Sequence, residues 1–177
     1  LSLLQQETVR LESLINSLAL LTKLESPDLV VDKSEIHLQP FLSTLVQRFE
    51  AEAAKRGMQI VIPKEDALLQ ADHQLFTRAM ENLVSNAIKY GLEYSTIQIR
   101  FTADAINRAE SLAIENEGTI EPAFLSRLFD RLSRGEAGRS SQGSGLGLSI
   151  VKAIAQAHHW SINGESNEKT CFTLRFT

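Results

Sequence analysis

The sequence predicts an α/β fold: a two-layer α/β sandwich of α+β connectivity, its mixed sheet carrying helices on one face, preceded by one long stalk helix. Three observations carry this. Thr96–Ala103 alternates Ile97, Ile99 and Phe101 with polar residues, as a half-buried strand does. The strand pairs 97–103/111–116 and 160–164/171–176 sit close enough in the chain to read as hairpins, which favours a mixed sheet over a doubly wound parallel one. Residues 1–25 carry leucines at heptad spacing and read as one helix.

In that first helix Leu4, Leu11 and Leu18 repeat every seven residues, Leu14 and Leu21 fall three further on, and Ile15 widens the stripe. Such a seam suits either packing onto its own domain or pairing with another helix in a dimerising stalk. Ser26–Asp32 holds Pro27 and two aspartates and reads as a linker, here taken over 26–36, with a globular domain over 37–177. Pro40 suits a first helical turn; Leu42, Leu45, Phe49 and Ala53 mark an apolar face, and Gly57 ends that helix. Short strands are expected at 58–62 and 68–71. Asp72 is the expected N-cap of a helix over 73–90. A strand at 111–116 precedes a helix over 122–132. A Gly/Ser-rich loop at 133–144 leads into a helix from about 146 to 158, and strands at 160–164 and 171–176 close the chain.

Composition narrows the function classes. The chain has 177 residues, 43% hydrophobic and 23% charged, ordinary for a soluble globular protein. A net charge of −4 argues against nucleic acid as a partner. No apolar run approaches the roughly 20 residues a membrane span needs, so no membrane contact is expected. Cys171 is the single cysteine, which excludes an internal disulfide and any multi-cysteine metal site and fits a cytoplasmic protein. The opening residues have neither an initiator Met nor a basic leader and read as an internal piece of a longer chain.

Two motifs carry possible chemistry. On the 73–90 helix, Asn82, Asn86 and Lys89 lie at i, i+4 and i+7, away from the apolar face of Leu75, Ala79, Leu83 and Ala87. Amide oxygens ligate hard cations and an ammonium offsets phosphate charge, so the stripe suits Mg²⁺ with a triphosphate. The same stripe is also an ordinary solvated face. Gly143-Ser144-Gly145-Leu146-Gly147-Leu148 opens the 146–158 helix. Glycines admit an anion to the backbone, and a helix N-terminus offers free N–H groups. A GxGxG run is equally a common turn. It is not a Walker A loop, because no Gly-Lys-Ser/Thr follows.

In chain order, Asn82-Leu83-Val84-Ser85-Asn86-Ala87-Ile88-Lys89-Tyr90, Asn116-Glu117-Gly118-Thr119-Ile120, Leu128-Phe129-Asp130-Arg131 and Gly143-Ser144-Gly145-Leu146-Gly147-Leu148 resemble the N, G1, F and G2 boxes of the ATP-binding catalytic domain of two-component sensor histidine kinases. Residues 7–25 resemble the second helix of that family's dimerisation and phosphotransfer domain. The resemblance implies the α/β sandwich shared with gyrase and heat-shock chaperone ATPases, with ATP and Mg²⁺ as cofactors. It implies that Asn86 ligates Mg²⁺ with Asn82 beside it, and that Lys89 and Tyr90 face the nucleotide. Gly118 and Ile120 line the adenine pocket, and Arg131 reaches the phosphates. Residues 133–144 form a lid, with Gly143, Ser144, Gly145, Leu146 and Gly147 at its phosphate end. Thr170 supports the adenine contact through water.

Two departures stand out. Asn116 occupies the position of the family's adenine-reading Asp, and the second glycine of that box is absent, which leaves Glu115 as an alternative reader. The family's phospho-acceptor is also missing. None of His37, His73, His158 and His159 has the acidic neighbour and helical setting it needs. The implied activity is γ-phosphoryl transfer to a histidine outside these residues, with a response regulator receiver domain as the onward partner and a homodimer formed through the stalk helix. Alternatives are a serine kinase of the same fold, which lacks such a helix, and a degenerate, nucleotide-free dimerising scaffold.

Overall fold

The computed structural model describes residues 3–133 and 145–176. In chain order it contains α1 (Leu3–Leu24), β1 (Ser34–His37), α2 (Leu38–Lys55), β2 (Gln59–Val61), β3 (Leu68–Ala71), α3 (His73–Tyr90), β4 (Thr96–Ala103), β5 (Ala109–Glu117), α4 (Pro122–Leu125), α5 (Gly147–Ala157), β6 (Ser161–Ser166) and β7 (Lys169–Arg175). A five-stranded sheet runs β2-β4-β5-β7-β6. Its β2–β4 pair is parallel and the other pairs are antiparallel, so the sheet is mixed and both expected hairpins form. A separate ribbon pairs β1 with β3, and β1 begins at Ser34, inside the stretch read as a linker.

Strand alternation makes the two layers. Ile97, Ile99, Leu112, Ile114, Phe172 and Leu174 point inward and are buried, while their neighbours face solvent. The helices cover the inward face. On α3, Phe76, Ala79, Met80, Leu83, Val84, Ala87 and Ile88 are buried, a stripe recurring at three and four residues. Asp72 caps α3 as expected, its Oδ1 accepting from the N–H groups of Gln74 and Leu75, both at 3.0 Å.

One predicted element is shorter than expected. The helix read over 122–132 is α-helical only at Pro122–Leu125. Beyond it the backbone bonds close over three residues, Arg127 N–H to Phe124 and Asp130 N–H to Arg127, and Leu132 adopts φ 57°. The apolar spacing of Phe124, Leu125, Leu128 and Phe129 mimics an α-helix. What those side chains satisfy is packing: Leu128 is buried and Phe129 meets Phe172 edge-on with ring centres 6.3 Å apart. Tight turns achieve that as well as a helix does.

The α1 seam divides in two. Ser17, Leu21 and Leu24 are buried where α1 meets α5, and Leu14 and Leu20 pack beside them. Val9, Leu11, Ile15 and Leu18 remain exposed along another side. Packing onto its own domain therefore uses only part of the apolar surface of α1.

His158 ties two helices together. It is fully buried at the end of α5, stacks on Trp160 at 4.2 Å, and bonds through Nδ1 to the Ile154 carbonyl at 2.9 Å. Its Nε2 accepts the Asp72 N–H at 3.0 Å, at the cap of α3. Both nitrogens are used only by the neutral ring with its proton on Nδ1. Burial holds its pKa below the ordinary 6.5, helped by the charges of Lys33 and His159 and opposed by the hydrogen bond to Ile154 and the charge of Asp72. A depressed histidine pKa stabilises fully above the unfolded value and is lost as pH falls through the folded one. Lowering the pH from about 7.5 to about 5.5 should lower the urea midpoint, and His158→Gln should flatten that decline. The exposed His37–Asp66 pair has a raised histidine pKa and the opposite sign, so the comparison with the variant isolates His158. An equal slope in both proteins would contradict the assignment.

Candidate functional site

The flank of α3 next to its buried face carries the polar stripe. Asn82 and Asn86 are both half-buried. The Asn82 amide nitrogen donates to the Arg78 carbonyl at 2.8 Å. Its oxygen lies against Gly147, the first residue of α5, where a Cβ would sit 2.9 Å away. A side chain at 147 would collide with Asn82, so glycine here lets the start of α5 close onto the stripe. The Asn86 side chain makes no hydrogen bond among the described residues and belongs to no buried face, which suits a metal or ligand contact. Lys89 lies 5.0 Å from the ring centre of Tyr90, which is itself exposed.

The end of β5 forms a second wall. Asn116 is 3% exposed, and its amide nitrogen donates to the Glu117 carbonyl at 3.0 Å. That bond leaves its oxygen, an acceptor, for a ligand. Gly91 packs against this amide: a Cβ there would lie 3.4 Å from the Asn116 nitrogen. Gly118 has φ 120°, which a side chain would strain, and it fits beneath the Tyr90 carbonyl. Thr170 stands opposite Asn116 in the β5–β7 register and donates directly to the Gly118 carbonyl at 2.8 Å. Ser166 accepts the Ile120 N–H at 2.7 Å and lies 3.2 Å from the Thr170 hydroxyl. Two hydroxyls thus hold the 118–120 turn from one side. Nothing in the sequence singles out Ser166 or Gly91; their roles come from partners distant in the chain.

Glu115 lies on the opposite face of β5. Lys169 bonds it at 3.0 Å and Arg100 at 2.8 Å, and these partners, Lys169 foremost, hold its carboxyl below the usual range. The alternation that buries Asn116 sends Glu115 outward.

The remaining motif residues are less uniform. Leu146 is fully buried, and its carbonyl accepts from Ile150 N–H and the Ser149 hydroxyl, so its side chain serves packing. Gly145 has φ 70° just before α5. Arg131 is ion-paired with Glu25, just past the end of α1. Of the lid expected over 133–144, only Ser133 is among the described residues; Gly143, Ser144 and the rest lie outside them.

Asn82 and Gly147 meet across α3 and α5, while Asn116, Gly118 and Gly91 meet at the end of α3. Residues 71–177 match the model of the histidine kinase-, DNA gyrase B- and HSP90-like ATPases. The chain belongs to this family. It is 31% identical over 160 residues to the sensor histidine kinase CusS of Escherichia coli O6:H1, covering 89% of this chain and 33% of that protein. In general it spans about a third of the length of the curated relatives it matches. Its fold superposes on the Acinetobacter baumannii histidine kinase AdeS with a TM-score of 0.81 at 21% identity, over 98% of this chain and 81% of that one. Full-length ShkA in complex with AMPPNP gives 0.77 at 19% identity, over 93% of this chain and 35% of that one. Among the described residues of this ATPase-family domain, no helix is long and apolar enough to cross a membrane.

Proposed function

We propose that this domain lies in the cytoplasm, binds Mg-ATP and is the catalytic part of a sensor histidine kinase. It passes the γ-phosphoryl group to a histidine outside these residues, for relay to a response regulator receiver domain. The observation that carries this reading is the convergence of Asn82 and Gly147 on one side and Asn116, Gly118 and Thr170 on the other around the outer flank of α3.

Each residue has a physical role in that reading. Asn116 offers an acceptor oxygen to the adenine amino group from a buried, pre-oriented amide. Gly118 and Ile120, held by Thr170 and Ser166, shape the adenine wall. Asn86 offers a neutral oxygen to Mg²⁺, a ligand type that hard cation accepts. The metal would neutralise phosphate charge. Lys89 adds a cation and Tyr90 an aromatic edge, and Gly145 and Gly147 bring backbone close to the phosphates. Arg131 reaches the phosphates by exchanging Glu25 for them. Phosphoryl transfer is mostly positioning and charge stabilisation, so no covalent catalyst is required of these residues. Asn82 is an amide and cannot act as a general base toward water, which favours transfer over hydrolysis. The exposed apolar side of α1 supports its assignment as a stalk helix through which the protein homodimerises.

Calorimetric titration with ATP, with and without Mg²⁺, tests the reading directly. Metal-dependent binding is expected, together with phosphorylation in trans of a histidine-bearing stalk whose own ATP site is disabled. Absence of binding, or stable radiolabel from γ-labelled ATP on residues 1–177 alone, would overturn it.

A further inference from the structure

We infer that Arg56, from the segment between α2 and β2, is a positioning residue for the nucleotide site, acting through the last turn of α3. The inference rests on the Mg-ATP reading of that site.

A helix leaves its final carbonyls without intrahelical partners. At the end of α3 the Ala87 carbonyl accepts the Gly91 N–H at 2.9 Å. The next two carbonyls, of Ile88 and Lys89, both receive the Arg56 guanidinium, the latter at 2.9 Å. Thirty-three residues separate Arg56 from Lys89. One cation from just past the end of α2 thus satisfies two orphan acceptors and sits at the negative end of the α3 dipole. Arg56 is itself held in place. Its carbonyl accepts the Tyr94 N–H at 3.0 Å, and its Nε lies 3.7 Å from Glu93.

This clamp falls where the two walls of the site join. Lys89 and Tyr90 are the last residues of α3. The Tyr90 carbonyl packs on Gly118, and Gly91 packs on the Asn116 amide. Leu92 N–H then bonds to the Glu117 carbonyl at 2.9 Å, joining the chain after α3 to the end of β5. Asn86 and Asn82 lie one and two turns further in, where the helix carries its own hydrogen bonds. Loss of the guanidinium should therefore loosen Lys89, Tyr90 and the adenine wall while leaving the metal-side amides in place. Both bonds come from one terminal nitrogen, Nη1, so a lysine ammonium keeps donors for the two carbonyls but loses the Nε contact with Glu93, and Arg56→Lys should restore only part of the function.

A double-mutant cycle on the whole chain tests this. Arg56→Met should weaken Mg-ATP affinity roughly tenfold, with Arg56→Lys intermediate. In a Lys89→Ala background Arg56→Met should add much less, because the two residues act through the same turn. Amide hydrogen exchange without nucleotide should rise at 88–92 in Arg56→Met and stay unchanged at 79–86. Unchanged affinity, fully additive losses, or exchange rising evenly along α3 would each overturn the inference. Failure of the parent chain to bind ATP would sink the functional reading instead, while the exchange pattern would still report on the clamp.

Discussion

Asn86→Ala should abolish the magnesium-dependent part of ATP binding, a loss of roughly 100-fold or more, while leaving the fold intact. The side chain lies half-buried on the flank of α3, outside its buried stripe, and makes no hydrogen bond among the described residues. Removing it leaves no cavity in the core and no orphaned partner, so the thermal transition should hardly move. Calorimetry with and without Mg²⁺, paired with circular dichroism melting, separates the outcomes. A variant that unfolds, or one that binds Mg-ATP as the parent does, would show that Asn86 is structural. Asn82→Ala should behave differently. Its amide nitrogen is committed to the Arg78 carbonyl and its oxygen to the approach of Gly147, so both stability and affinity should fall.

The second large effect is expected at Asn116. Asn116→Leu should cost roughly 50-fold in ATP affinity, because the adenine amino group would be desolvated against a side chain with no acceptor. Asn116→Asp should hold or improve binding. A charge-assisted bond exceeds a neutral one by only about 1 kcal/mol, which is several-fold in affinity. The Asn oxygen also predicts preference for ATP over GTP, whose carbonyl replaces the amino donor with an acceptor. Glu115→Ala should leave affinity unchanged, since that carboxylate is engaged by Lys169 and Arg100 on the other face of the sheet. Competition of ATP and GTP for a fluorescent nucleotide measures all three variants. Normal binding by Asn116→Leu with loss in Glu115→Ala would reverse the assignment.

Where the pattern is local, the sequence by itself determined the outcome. The 3.6-residue stripe of α3, the Asp72 cap and the period-two alternation of β4 each depend on neighbours within a turn or a pleat. They appear in the structure where the residues predict them. The order of the four boxes likewise needed no coordinates, because each is a contiguous segment. Contacts between distant segments were decided only by the tertiary structure. Asn116 and Glu115 are adjacent in sequence and both polar; only the side of β5 that meets α3 separates a buried amide from an outward ion pair. The α1 leucines share one spacing, yet α5 covers Leu21 and leaves Leu11 and Leu18 exposed. The 122–132 stretch has helical spacing but closes into turns, since burial of Leu128 and Phe129 constrains side chains and not the backbone hydrogen-bond pattern. Arg56 and Ser166 carry no local signal at all. Their roles come from backbone groups at 88–89 and 120, which reach them only once the helices and the sheet have packed.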